Sequence, residues 1–451
     1  MHVLLKSVLK KIKPTPEEQK LKHDTVDEIT DKIKKFDVNP ILVGSLAKNT
    51  NLRKDDDIDL FIGFQPEVER KELEERGLEI GKKVFEDVGA DYEIDYAEHP
   101  YVKGIYKGQV IEIVPCYQIA KIKVMSAVDR TPYHTSYVRK KIRADEKLGD
   151  EIRLLKQFMK GIEVYGAEAK VEGFSGYLSE LLVIRYGSFK GVLEAASGWK
   201  FREVIDVEGC WAEDGKAKGE LIRNFFPGSP LIVADPVDKH RNVAAAVFKQ
   251  KMAEFMVGAR QFLKNPDEKY FFPQEEPLPV REEIKERLVS RGSKLIAISI
   301  SHPEINANTL YTQLRKTRDA ISRSIKHEGF QILKQGFWTN ERNLSAIVYE
   351  FAVWHLPNVK RRFGPPVDTD MENQKRFLEK YRDFPPYIDD GRWVVDKKRR
   401  IRDVGDVIPK ILEEGKGFGR NLREAGKFEV LYDADVLKIG DEFLRFMDKF
   451  V

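Results

Sequence analysis

Asp57 and Asp59 stand two residues apart inside the otherwise apolar run DIDLFIGF, and Gly44-Ser45 closes a short apolar run, Ile41-Leu42-Val43, shortly upstream. Successive side chains of a strand point to opposite faces, so the two carboxylates share one face with Cα atoms roughly 6–7 Å apart, while Ile58 and Leu60 turn to the core. Acidic groups aimed off an apolar strand need a partner, and a metal ion answers that need. Two carboxylates on one face suit a pair of divalent cations about 3.5–4 Å apart, the arrangement that serves in-line displacement at phosphorus. Mg²⁺ is the natural ion, because it takes hard oxygen ligands and is usually held by one or two carboxylates plus substrate phosphates. Gly44 lets backbone approach phosphate closely, Ser45 can donate its hydroxyl, and a short helix opening there turns its N–H groups toward an anion.

These residues need a strand ending at Val43 and a second strand over 57–64. Pro40 opens the first; a charged helix over 16–37 precedes it, and a helix over 67–88 and strands near 91–96, 101–106 and 109–115 follow. The pattern is that of a small α/β domain. Beyond residue 136 the spacing predicts helices over 143–162, 176–186, 189–197 and 241–264, with strand-like pieces at 204–207 and 231–234. The proline-bearing stretch 265–280 reads as a connector. A βαββ unit follows, with strands over 294–301, 330–338 and 343–355 and a helix over 306–327, which predicts helix on antiparallel sheet. From Met371 onward the sequence shows helical pieces and the basic cluster Lys397-Lys398-Arg399-Arg400-Ile401-Arg402.

The composition bounds the rest. A chain of 451 residues exceeds one ordinary core, so several domains are expected. Charged residues make up 34% and hydrophobic ones 41%, with a net charge of +4, which permits a polyanionic partner without demanding one. Two cysteines far apart, Cys116 and Cys210, exclude a disulfide framework and a structural zinc site, and a reducing cytoplasm fits. No run of about 18 uncharged apolar residues occurs, so no membrane span is expected. The N-terminal stretch carries lysines throughout and lacks a signal peptide's apolar core.

Gly-Ser followed by Asp-x-Asp on a strand resembles the nucleotidyltransferase superfamily, which has a third carboxylate on a neighbouring strand. Glu112, the lone acid of GQVIEIVPCY, is the candidate by its setting. Longer strings extend the resemblance: EHPYVKG (98–104), IEIVPCY (111–117), SAVDRTPYHTSYV (126–138), EIRLLKQFMK (151–160), YGAEAKVEGFSGYLSELLVIRYGSF (165–189) and VADPVDKHRNVAAAV (233–247). These resemble class I, archaeal-type CCA-adding enzymes, which build or repair the 3′-terminal CCA of tRNA.

The resemblance implies an α+β multidomain chain. Its parts are a nucleotidyltransferase α/β palm (1–136), a mainly helical central domain (137–264), a body with the βαββ unit (265–370) and a basic, tRNA-binding tail (371–451). It implies that Asp57, Asp59 and Glu112 are the catalytic, metal-binding carboxylates of a two-metal Mg²⁺ site. Gly44, Ser45, Lys48, Lys156 and Tyr165 fall where the family holds the triphosphate, and Arg241 where it reads the incoming base. His134 falls at the nucleotide site, and His99 and Thr131 line the primer site. The sequence departs from the family's pattern twice: Glu112 stands where many members have Asp, and Lys48 where they have Arg, a point charge in place of a bidentate fork. CTP, ATP and tRNA are the implied partners, and a homodimer is suggested. Without the resemblance, Lys156 reads as an amphipathic-helix lysine and Tyr165 as a helix-end aromatic, and the serine of GFSGYLSELL belongs to helix packing.

Backbone phosphates meet Lys and Arg. The candidates are Lys360, Arg361, Arg362, Arg392 and the cluster from Lys397 through Lys398, Arg399 and Arg400 to Arg402, with Phe363 and Trp393 as stacking surfaces. A poly(A) polymerase or antibiotic-modifying transferase shares the Gly-Ser and Asp-x-Asp core, and an RNA-binding protein with a dead transferase domain would lack a carboxylate. The downstream strings and the basic tail argue for tRNA.

Overall fold

The computed structural model describes all residues except 97–98, 119–127, 212–215, 275–276 and 426, and only the backbone of 216–218. Two of the quoted strings, 98–104 and 126–138, therefore begin outside the described residues. The chain divides into two compact units, residues 1–274 and 275–451. Among the described residues no helix is long and apolar enough to cross a membrane.

The first unit opens with α1 (His2–Ile12) and α2 (Pro16–Lys34). Thr15 starts α2 with a full capping box: its side chain accepts the Glu18 N–H, the Glu18 carboxylate accepts the Thr15 N–H, and Pro16 sits where no N–H is required. Next come β1 (Asn39–Leu42), the single-turn α3 (Gly44–Ala47) and β2 (Asp57–Phe64). Then α4 (Arg70–Val88) stops at Gly89, whose φ of +67° closes the helix in the left-handed region. Strands β3 (Tyr92–Tyr96), β4 (Pro100–Tyr106) and β5 (Gln109–Tyr117) complete a five-stranded sheet of order β1-β2-β5-β4-β3. Only the β2–β5 pair is parallel. Ile58, Leu60, Ile62, Ile111 and Ile113 are fully buried on the face that α2 and α4 cover. Each such side chain stabilises by about 1.5–3 kcal/mol, so slipping β2 by one residue would bury Asp57 and Asp59 instead.

The helical part holds α5 (Thr131–Ala144), α6 (Lys147–Gly161), α7 (Gly176–Tyr186) and α8 (Phe189–Ser197). The helix expected over 143–162 is thus two helices. Asp145 is extended and its side chain accepts the Lys147 N–H at 3.1 Å, a local bond that competes with helix continuation. The two-stranded pair β6 (Glu203–Asp206) and β7 (Leu231–Ala234) flanks α9 (Lys216–Phe225), and α10 (Lys249–Lys264) closes the unit. The helix expected from 241 begins only at Lys249. Asn242 holds the preceding segment against β7 instead: its Oδ1 accepts the N–H groups of Val233 and Ala244, each at 2.9 Å, and its Nδ2 donates to the Leu231 carbonyl at 3.0 Å. Phe158, Phe189, Phe255, Phe262 and Phe271 fill the core between these helices.

The second unit has α11 (Arg281–Ser290), β8 (Lys294–Ser301), α12 (Ala307–Glu328), β9 (Gln331–Thr339) and β10 (Leu344–Val353), which is the expected βαββ unit. Ile296, Ile298 and Ile300 face one core, and Leu295 and Ala297 the other, so β8 is buried on both sides. Beyond it lie β11 (Val359–Pro366), α13 (Met371–Lys380), β12 (Pro386–Asp389), β13 (Arg392–Lys398), α14 (Val404–Glu414), α15 (Arg420–Ala425), β14 (Lys427–Tyr432) and α16 (Asp441–Phe450). The region after Met371 is therefore not helical pieces alone. Val394 and Val395 are fully buried where β13 pairs with β11 and β12, and β14 joins β8 to give the order β14-β8-β10-β9.

Candidate active site

Parallel pairing sets Asp59 of β2 directly beside Glu112 of β5, with Asp57 two residues along the same face. Asp57 is exposed, and Asp59 and Glu112 are half-buried. Burial first, and the Asp57 charge second, lift the Asp59 carboxyl above the ordinary range, against the pull of Lys48. Glu112 is likewise lifted, by burial and then by Asp59, and Lys103 opposes this from 3.6 Å. Mutual crowding of carboxylates is the electrostatic signature of the site. Among the described residues no three acidic, imidazole or thiol groups converge closely enough to close around one ion as they stand.

Gly44 adopts φ +72° at the start of α3, and a Cβ there would fall 1.8 Å from Asp59 Oδ2. Only glycine lets the turn lie against that carboxylate. Ser45 is half-buried one residue on, and its carbonyl accepts the Thr50 N–H at 2.9 Å. Lys48 ends the turn. Its Nζ meets Glu180 at 2.7 Å, and Glu180, on α7, is fully buried. Thr50 donates to the other Glu180 oxygen at 2.8 Å, and Lys156 of α6 lies 3.5 Å from that oxygen and 3.2 Å from Thr50. One buried carboxylate thus faces two lysines, and burial, with Lys48 adding to it, brings Lys156 down to about 8 against the pull of Glu180. Tyr165 belongs to the same group: a Cβ on Gly176 would stand 3.0 Å from its hydroxyl and 3.9 Å from Lys156 Nζ.

A second cluster surrounds Asp235, directly after β7. His134 Nε2 lies 2.9 Å from its Oδ2; a carboxylate only accepts, so Nε2 carries the proton. Arg241 Nη1 donates to the same oxygen at 2.9 Å. Burial alone would raise Asp235, but His134, the Val237 N–H and Arg241 hold it at about 2. Burial leads the shift of His134 downward, to the neutral imidazole. The Lys48 charge acts on both clusters, lowering Asp59 and His134 alike.

Thr131, half-buried, begins α5 one turn before His134. His99 is buried, with Nδ1 3.0 Å from Glu74 of α4 and Nε2 without a partner among the described residues, and it joins neither cluster. In the second unit the basic candidates divide between two faces of the three-stranded sheet. Arg361 faces Asp389 at 2.7 Å and Asp396 at 4.0 Å. Lys360, Arg362 and Lys397 share the opposite face, because Lys360 pairs in register with Lys397. Burial, and then the Arg362 charge, depress Lys360. Arg399 is tied to the carbonyls of Val359 and Glu328, while Lys398 and Arg400 are exposed.

Sequence reasoning missed Glu180, Asp235 and Tyr177. The two acids had a signal: Glu180 is a lone acid among leucines in GYLSELL, and Asp235 directly follows the wholly apolar LIVA; Tyr177 had none.

Comparison with known proteins agrees with this geometry. Family models match for a nucleotidyltransferase domain over residues 24–134, the second domain of tRNA nucleotidyltransferase over 150–272, and the C-terminal domain of CCA-adding enzyme over 291–433. The CCA-adding enzyme of Methanothermobacter thermautotrophicus is 38% identical over 99% of this chain and 97% of its own. That of Archaeoglobus fulgidus is 36% identical over 96% and 95%. Among solved structures, the RNA terminal uridylyl transferase Cid1 is 15% identical at a TM-score of 0.49, over 62% of this chain and 100% of its own, too slight a likeness to argue from. Matched along nearly its whole length, the chain belongs to the CCA-adding enzymes, the tRNA nucleotidyltransferases.

Proposed function

We propose that Asp57, Asp59 and Glu112 carry the transfer by which this enzyme adds CCA to the 3′ end of tRNA from CTP and ATP. The observation that supports the assignment is the register of Asp59 with Glu112, both lifted in pKa beside the Gly44 turn. The donor set fits a hard divalent cation: all three groups are carboxylates, and their crowding is of the kind that positive charge relieves. Mg²⁺ is the ion we assign, and a bound pair supplies activation of the attacking hydroxyl and neutralisation of the leaving pyrophosphate.

The chain's own groups do the rest. The tRNA 3′-oxygen forms a bond to the α-phosphorus as the bond to pyrophosphate breaks, and the hydroxyl proton passes to Asp59 or Glu112. Gly44 and Ser45 lie against the triphosphate, Lys48, Lys156 and Tyr165 hold it, and Arg241 with His134 orients the base. His99 and Thr131 line the primer, and Arg361, Arg362, Lys398, Arg399 and Arg400 meet RNA phosphates. The same reading divides the chain at 136, 264 and 370, places the enzyme in the cytoplasm, and makes it a homodimer, which sedimentation checks.

The test is primer extension on tRNA ending before the CCA, after C and after CC, with CTP, ATP or both, comparing the parent with Asp57→Ala and Glu112→Ala. Ordered addition that stops after A and is lost in both variants supports the assignment. Full extension by Glu112→Ala removes that residue from the set.

A further inference from the structure

Behind Arg241 stands a fully buried carboxylate with no role in the reaction as described. Asp235 collects four donors: His134 Nε2 and Arg241 Nη1 on Oδ2, each at 2.9 Å, and on Oδ1 the Tyr177 hydroxyl at 3.1 Å and the Val237 N–H at 2.9 Å. The His134 ring lies on Tyr177 with centroids 4.0 Å apart and planes 22° from parallel. The backbone closes as well, since the Asp235 N–H donates to the Arg241 carbonyl at 3.1 Å and the Arg241 N–H to the Asp238 carbonyl at 2.9 Å. Arg241 is therefore folded back at both ends of its length. Its side chain is 37% exposed, and Asp235 takes one of the five guanidinium donors, which leaves the others to face a ligand.

We propose that Asp235, with Tyr177, is a positioning residue that fixes the guanidinium of Arg241 and thereby sets which nucleobases the enzyme accepts. The inference rests on Arg241 reading the base. Cytosine and adenine each present a ring-nitrogen acceptor beside an exocyclic amino group; uracil and guanine present a ring N–H beside a carbonyl. A donor fixed in place meets the acceptor of the first pair and opposes the N–H of the second. An arginine free to swing satisfies either pair and discriminates poorly. Held groups around a reading residue are what give such a contact its precision.

The experiment measures single-turnover rates with CTP against UTP on tRNA ending before the CCA, and with ATP against GTP on tRNA ending in CC. The variants are Asp235→Asn, Tyr177→Phe and Arg241→Ala, each checked by thermal unfolding. A merely structural role lowers all four rates together and leaves the ratios unchanged. Positioning predicts that Asp235→Asn loses roughly tenfold or more in the CTP/UTP and ATP/GTP ratios, the scale on which small misplacements act, and that Tyr177→Phe shifts them the same way by less. Unchanged ratios in Asp235→Asn beside collapsed ratios in Arg241→Ala overturn the inference and leave the base-reading role standing. Unchanged ratios in Arg241→Ala overturn both. Should Asp235→Asn fail to fold, Tyr177→Phe decides: a shift of the same sign supports the inference, and parent ratios sink it.

Discussion

Raising the pH through 8 should weaken nucleotide binding through one residue. Lys156 is 2% exposed and titrates at about 8, because burial outweighs the pull of Glu180 and Lys48 adds repulsion. Its ammonium is then about 90% protonated at pH 7 and about 10% at pH 9. If only the charged form grips the triphosphate, KM for CTP rises roughly tenfold per pH unit above 8, while the nucleotide, with its last phosphate pKa near 6, does not change charge. Bound phosphate pulls the lysine back to its charged form, so calorimetry at pH 8.5 in buffers of different ionisation enthalpy should show proton uptake on binding. Unfolding does not imitate the effect. The folded pKa lies below the unfolded value of 10.5, so the unfolded state holds more protons between 8 and 10.5 and Lys156 favours the fold as pH rises through that window. Lys156→Met, of similar length and uncharged, should show a raised KM without the rise above pH 8. A parent KM that is flat from pH 7.5 to 9, or a Lys156→Met profile that still climbs, would refute the reasoning.

Gly44→Ala forces a Cβ to within 1.8 Å of Asp59 Oδ2 from a left-handed backbone. It should cost about 1–2 kcal/mol of local strain and on the order of a hundredfold in kcat through carboxylate displacement, with CTP affinity little changed; a kcat within a few-fold of the parent would show that Asp59 need not sit there. Arg362 and Lys397 have no acidic partner among the described residues, whereas Arg361 shares its charge with Asp389. Replacing Arg362 and Lys397 together by alanine should lower the slope of log affinity for tRNA against log salt by roughly 1.5–2, more than Arg361→Ala does, and an unchanged slope would move the RNA contact elsewhere.

Asp57 to Phe64 was legible to the residue because apolar alternation and two misplaced acids report the same strand from both of its faces. Glu112 stood out for the same reason, as a lone carboxylate among valines and isoleucines, and it lies in register with Asp59. Glu180 and Asp235 have the same kind of setting, yet their partners lie 132 and 101 residues away, at Lys48 and His134, and no local period reports a contact of that span. Boundaries failed where a side chain took over backbone bonding, at Asp145 and Asn242. The strand Arg392–Lys398 was hidden by its lysines, which read as a charge run although Val394 and Val395 anchor it. The poly(A) polymerase alternative shares the carboxylate core, and only the full-length match to CCA-adding enzymes sets it aside.

Strand β8 is finished by strand β14, which lies more than a hundred residues later and pairs Lys427–Tyr432 with Ser301–Ile296. While the ribosome is still making the chain, β8 has β10 on one side and a bare row of amide and carbonyl groups on the other. The isoleucine-rich strand KLIAISIS then waits, open to pairing with any extended segment nearby, until the last strand emerges. A C-terminal clip before residue 427 would recreate that condition in the mature enzyme, so the terminal strand guards the protein's solubility as well as its shape.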